Sequence, residues 1–235
     1  MLVAVAVCPH PPLLIPEVAA GAAAETEELR QACLTAVGRA LDASADQLVV
    51  VGNGPIAGTA DPAATGSLAG YGVPVRVTLG PRDSDARPTL PLSVTVGAWL
   101  LRQAGHAGQI GARVVTDRAT PAECAALGAR IAAFPGRTAL LVMGDGSARR
   151  TESSPGYTDP RAVPFDDAVA EALAKGDPAA LAAVDPDLAT ELMVAGRAPW
   201  QVLAGAAGDA RWRAELLYSG APYGVGYFVA SWEPA

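Results

Sequence analysis

Lysine and cysteine are both scarce in this chain. Lys175 is the only lysine among 17 basic residues, and Cys8, Cys33 and Cys124 lie far apart, with no CxxC pair among them. This pattern fits neither a disulfide framework nor a zinc knuckle. We therefore expect reduced thiols and a cytoplasmic protein.

Basic charge and long apolar runs are also in short supply. The net charge is −7 and the isoelectric point is near 4.8, whereas a nucleic-acid surface needs a basic stripe to neutralise phosphates. The opening segment, "MLVAVAVCPHPP", lacks the basic flank of a signal peptide, and its apolar run is too short to cross a bilayer. We expect no nucleic-acid partner and no membrane association.

Apolar runs alternate with helical periodicity along most of the chain. Strands are predicted at 2–8, 47–54, 73–79 and 109–116, and within 137–147, a run that ends in a glycine-rich loop. Helices are predicted at 22–41, at 90–105, from a Thr120–Glu123 capping box onward, and through most of 165–207. A polar, proline-containing loop covers 148–164, and two strand-like stretches around a Pro/Gly turn end the chain.

This alternation predicts one domain, 1–235, with a three-layer α/β/α fold and a mostly parallel (mixed) central sheet. In such sheets the ligand crevice lies outside the carboxyl ends of the strands. Three loops are expected there: 8–13 with His10, 52–58 with Asn53, and 144–150 with Asp145 and Ser147. These four side chains are the first candidates for a binding site.

Five segments add a family resemblance. They are "CPHPPLLIPE", "VVVGNGP", "LLVMGDGSARR", "AGRAPWQVL" and "YGVGYFVA". In this order they resemble segments of the class III extradiol ring-cleavage dioxygenases, the superfamily of the catalytic B subunit of protocatechuate 4,5-dioxygenase, and especially its MEMO-like branch. The resemblance runs nearly end to end and implies the extradiol dioxygenase B-subunit-like fold.

The resemblance also implies roles for individual positions. His10 matches the histidine of a "PHPP" turn, which is an iron ligand in the active enzymes. Asn53 stands where a second histidine ligand is usual, and Ala195, or its neighbours Gly196 and Arg197, stands at the third ligand position. "GDGSARR" has alanine where the family pattern has an acid/base histidine. Three of the four functional positions are thus substituted, which implies a degenerate metal site.

The residues themselves leave alternatives open. His10 is either a vestigial ligand whose ring hydrogen-bonds the backbone of a proline-stiffened turn, or a metal ligand helped by carboxylates such as Asp145. Asn53 either occupies a left-handed turn or presents its amide to a ligand. Asp145 is a weak catalytic candidate, since a general base needs a partner. Arg197 is a candidate to fill the space and charge of the missing metal.

We therefore expect an extradiol dioxygenase-like protein that is non-catalytic, or repurposed to bind a small polar or aromatic molecule or a protein. No cofactor is expected. The alternative is an active dioxygenase that cleaves a catechol with Fe(II) or another divalent metal held by displaced ligands. A homodimer would be in keeping with the family.

Overall fold

The computed structural model describes residues 1–80 and 87–235. The strands are β1 (Leu2–Cys8), β2 (Gln47–Asn53), β3 (Gly58–Thr59), β4 (Thr65–Ser67), β5 (Arg76–Thr78), β6 (Gly111–Val115), β7 (Thr138–Met143), β8 (Trp212–Gly220) and β9 (Tyr227–Pro234). The helices are α1 (Pro16–Ala19), α2 (Glu27–Asp42), α3 (Leu92–Gln103), α4 (Pro121–Ala132), α5 (Ala162–Lys175), α6 (Pro178–Ala182), α7 (Pro186–Glu191) and α8 (Arg197–Ala207).

The central sheet is mixed, with a parallel core. Its strand order is β3-β6-β2-β7-β1-β9-β8. The pairs β6–β2, β2–β7 and β7–β1 are parallel, whereas β3, β9 and β8 pair antiparallel with their neighbours. The predicted α/β class and mostly parallel sheet are confirmed.

Helices cover both faces of the sheet, which explains why its inner strands read as continuous apolar runs. All seven residues of β1 are buried. Successive side chains alternate: Ala4, Ala6 and Cys8 belong to the core under α2 and α3, and Val5 and Val7 belong to the core under α4, α5 and α8. The three layers follow from this two-sided burial.

Helices α4 and α8 pack unusually closely. A Cβ atom at Gly128 would lie 2.1 Å from the carbonyl oxygen of Val202, and one at Gly205 would lie 2.4 Å from that of Ala125. Both distances are far inside van der Waals contact, so the absence of side chains at these glycines sets the spacing of the two helices.

Two elements differ from the sequence prediction. The strand predicted at 73–79 is only Arg76–Thr78, and it pairs with β4 in a separate two-stranded sheet. Pro74 within the predicted run has no amide hydrogen for a ladder. The helix predicted at 22–41 begins at Glu27, because Thr26 and the residues before it form turns, in which the Thr26 hydroxyl donates to the carbonyls of Leu13 and Ala23.

The other features agree closely with the prediction. The capping box at Thr120 and Glu123 is present, and β8 and β9 form the C-terminal antiparallel pair. The loop predicted at 148–164 ends at residue 161, because α5 begins at Ala162. In the described ranges, no helix combines the length and the apolar character needed to span a bilayer.

Candidate functional site

The carboxyl ends of β1 and β7 bring His10 and Asp145 together. These strands are adjacent and parallel, and the Gly144 amide donates to the Cys8 carbonyl at 2.9 Å just beyond the last paired residues. The His10 backbone amide donates to Asp145 Oδ1 at 2.7 Å. This bond fixes the loop after β1 to the loop after β7.

The His10 imidazole is buried beside that carboxylate without a hydrogen-bond partner. His10 is 6% exposed, and its Nδ1 lies 3.4 Å from Asp145 Oδ1. The alignment of the two atoms does not make a hydrogen bond, so Nδ1 has no partner among the described residues. Buried polar atoms usually have one, so this nitrogen is an unsatisfied polar atom at the carboxyl edge of the sheet.

Tyr227 completes the group. Because β9 runs antiparallel to β1 with Val7 opposite Ala230, the start of β9 lies beyond the end of β1. Burial raises the pKa of the Tyr227 phenol well above its usual value, and the negative charge of Asp145 raises it further. The phenol is therefore neutral at ordinary pH and remains a hydrogen-bond donor.

A second tyrosine lies at the edge of this group. The Tyr223 hydroxyl donates to Glu25 Oε2 at 2.9 Å, and Tyr223 adds to the rise in the Tyr227 pKa. Sequence reasoning named neither tyrosine as a site residue. Both tyrosines lie in "YGVGYFVA", the segment that resembles the family's closing strand, and this was the sequence feature that could have indicated them.

We call His10, Asp145 and Tyr227 the His10 group. It offers an unpartnered imidazole nitrogen, a carboxylate that accepts hydrogen bonds and a neutral phenol that donates one. Such a set is suited to holding a hydroxyl group. The carboxylate side chain of Asp145 is the more open of the ion-pair partners, at 16% exposure against 8% for the His10 side chain.

Ser147 lies in the same loop as Asp145 but takes part in a different contact. It is fully buried; its amide and its hydroxyl each donate to Asp166 of α5, at 2.8 Å. Arg150 Nη1 also lies 3.4 Å from Asp166 Oδ2. The Ser147 hydroxyl thus anchors the loop to α5.

Asn53 and Arg197 both form hydrogen bonds with Asp117, in the loop after β6. The Asn53 amide donates to Asp117 Oδ1 at 3.1 Å. Arg197 is 4% exposed; its guanidinium donates to the carbonyls of Asp117 and Ala119 and to Gln201 Oε1. It is therefore directed at loop carbonyls, not at bulk solvent.

The two groups are linked through the backbone. The amide of Gly196, just before Arg197, donates to the carbonyl of Asp145 at 2.8 Å. A small cavity of about 250 Å³ is lined by Asp117, Ala189, Thr190, Met193, Val194, Ala195, Arg197 and Ala198. Hydrogen bonds therefore connect the four loops of the carboxyl edge. Asn53 and Arg197 both donate to Asp117 and not to the His10 imidazole.

The second histidine lies apart from the candidate site. His106 follows α3 and precedes β6, and its Nε2 lies 3.3 Å from the carbonyl oxygen of Gln109. Its backbone carbonyl accepts a hydrogen bond from Arg102. This places it at the amino end of β6, opposite the edge that carries His10.

The donor atoms near His10 do not fit a non-haem iron centre. Such a centre takes two imidazoles and a carboxylate on one face of the metal. In the described part of the chain, no three His, Cys, Asp or Glu side chains converge to hold a metal ion. His10 and Asp145 supply one imidazole and one carboxylate, and Asn53 is engaged with Asp117.

Comparison with known proteins bears on the fold alone. No family model and no curated protein matches the chain. In structure it is similar to an uncharacterized protein from Escherichia coli K12 known from a crystal structure, with a TM-score of 0.56, 16% identity, and coverage of 98% of this chain and 99% of that one. A likeness at this identity supports the shared α/β architecture and carries no function.

Proposed function

We propose that this chain is a class III extradiol dioxygenase-like protein that has lost the iron site and binds a small hydroxylated aromatic molecule at the His10 group. The five ordered segments support the family and the B-subunit-like fold. The carboxyl ends of parallel strands are where α/β proteins hold their ligands. The protein binds its ligand without ring cleavage.

One observation carries this proposal: a buried imidazole nitrogen without a hydrogen-bond partner lies next to a carboxylate, at the strand end to which the β1–β9 pairing brings the Tyr227 phenol. An empty hydrogen-bonding position on a buried group costs free energy that a ligand hydroxyl recovers. A phenolic ligand donates to His10 Nδ1 or to Asp145, and it accepts from Tyr227.

The donor set supports loss of the iron chemistry. In active relatives the bound iron activates the catechol and O₂. Here His10 and Asp145 hold each other's loops through the 2.7 Å amide-to-carboxylate bond, and the described residues bring no further imidazole to them. These residues orient a ligand hydroxyl through hydrogen bonds.

A cytoplasmic location and a homodimer are part of the same proposal. The three cysteines are buried and unpaired, which supports a reducing compartment. The dimer follows from the family resemblance alone.

The test is a titration of chelator-treated protein with catechol, in which binding is measured by calorimetry and by the NMR signals of the imidazole. We expect saturable binding that His10→Ala and Tyr227→Phe each weaken roughly tenfold, the effect of one lost buried hydrogen bond. Tyr157→Phe is the control, because Tyr157 is 90% exposed. The proposal is wrong if catechol binds only after Fe(II) is added and is then converted to a yellow ring-opened product.

A further inference from the structure

A cavity lies at the edge of the sheet, away from the His10 group. Its volume is about 720 Å³, within the range of small-molecule sites. One wall is the face of α4 that carries Glu123, Leu127, Arg130 and Ile131, and the other is β3 with the second half of β6.

The cavity exists because the edge strand β3 is too short to cover the face of α4 beside it. The spacing of the four α4 residues, at i, i+4, i+7 and i+8, places them on one helical face. A longer edge strand would cover that face. β3 has only two residues, Gly58 and Thr59, and both are exposed, so part of the α4 face lines an open groove.

Three arginines line this groove: Arg113, Arg118 and Arg130. None of them has a carboxylate partner within the described ranges, and Arg113 donates only to the carbonyl of Ala112. Other cations of this chain do pair with carboxylates; they are Arg30, Arg39, Arg150, Arg161, Lys175 and Arg213. Three guanidinium groups without a carboxylate partner therefore line one cavity of a protein whose net charge is −7.

The one acid in the lining is already occupied. Glu123 Oε2 accepts from the Thr120 amide at 2.7 Å and from the Thr120 hydroxyl at 2.9 Å. These bonds hold the pKa of Glu123 below its usual value. The Glu123 carboxylate therefore stabilises the helix cap. Its negative charge would also repel an anion bound in the groove.

The remaining lining is apolar. Leu127 and Ile131 come from α4, and Val114 and Val115 come from β6. A site that combines arginines with aliphatic side chains favours an anionic group attached to an apolar body, because guanidinium groups bind phosphate and carboxylate bidentately and the apolar part gains from burial.

We infer that this groove binds an organic anion in which a phosphate or carboxylate group is joined to an aromatic or aliphatic body. Arg118 and Arg130 hold the charged group, and Leu127 and Ile131 contact the apolar part. The site is independent of the His10 group, so each proposal stands or falls without the other.

The test compares phenyl phosphate with inorganic phosphate by calorimetric and NMR titration of the full chain. We expect phenyl phosphate to bind at least roughly tenfold more tightly, and to shift the methyl signals of Leu127 and Ile131. Equal affinity for the two probes, or methyl shifts confined to other parts of the protein, would overturn the inference.

Variants then assign the charges. The pair Arg118→Ala and Arg130→Ala, both at exposed positions, should weaken phenyl phosphate binding by roughly a hundredfold, about tenfold for each lost charge-assisted contact. Glu123→Gln keeps the capping pattern and should strengthen binding severalfold. Arg211→Ala is the control, an exposed arginine before β8 at the opposite sheet edge. Equal losses in the double variant and the control would also refute the site.

Discussion

Asp166 is the buried residue on which the loop after β7 depends. It is fully buried and accepts two hydrogen bonds from Ser147. Asp166→Ala should lower the free energy of unfolding by about 2–5 kcal/mol, because two buried donors lose their acceptor. Urea unfolding measures the change.

The neighbouring Asp167 provides the control for that prediction. It is exposed on the same helix, so Asp167→Ala should change the free energy of unfolding by less than about 0.5 kcal/mol. Similar losses in the two variants would show that the Ser147 contacts do not hold the loop.

The same carboxyl gives a pH dependence with a defined sign. Burial raises the pKa of Asp166 above its ordinary value of 3.8, and this outweighs the lowering by Ser147 and Arg150. The folded protein therefore keeps this proton at a pH where the unfolded chain has released it. The resulting stability is present below the unfolded pKa and is lost as pH rises through the folded pKa.

Asp166→Asn isolates that effect because asparagine does not titrate. The free energy of unfolding of the wild type, minus that of the variant, should fall as pH rises above the ordinary pKa of 3.8. Urea unfolding at a series of pH values measures the difference. A difference that is constant or increases with pH would contradict the assignment.

At the scale of elements, the α4–α8 contact depends on glycine. Gly128→Ala should destabilise the protein by about 1–3 kcal/mol, because the added methyl group meets the backbone of α8 and forces the helices apart. Gly38→Ala in α2 is the matched control. A Cβ there meets nothing within 4 Å, so it should stabilise by about 0.5–1 kcal/mol.

Thermal and urea unfolding of the two glycine variants give the comparison directly. The change in the free energy of unfolding is expected to be negative for Gly128→Ala and positive for Gly38→Ala. If both alanines stabilise the protein, the helices are not held at the spacing that the structure shows.

Elements were predictable where local sequence and tertiary packing agree. β1, β2 and β7 are aliphatic runs buried on both faces, and the Thr120 cap is a local hydrogen-bond pattern. β5 was over-extended because Pro74 and the pairing with β4 limit it to three residues. β3 has two residues, too few to carry any periodic signal.

At the scale of the whole molecule, topology was predictable but side-chain partners were not. The sequence predicts that His10, Asn53, Asp145 and Ser147 lie at one edge of the sheet, since the strands that carry them are parallel. It does not predict the hydrogen bond from Asn53 to Asp117 or the one from Ser147 to Asp166. Those partners come from the loop after β6 and from α5, which the strand pattern does not link to them.

The contribution of Tyr227 was also beyond the sequence pattern. It depends on the antiparallel pairing of β9 with β1, which brings the start of a C-terminal strand to the end of the first strand. The contact joins residues more than two hundred positions apart, and it completes the His10 group.

Anaerobic calorimetric titration of chelator-treated protein with Fe(II) tests the central claim, a ligand site that works without iron. We predict that no Fe(II) binds with a dissociation constant tighter than about 1 mM, and that His10→Ala gives the same trace. One equivalent bound at roughly micromolar affinity by the wild type, and lost in His10→Ala, would contradict the claim and point to an iron enzyme.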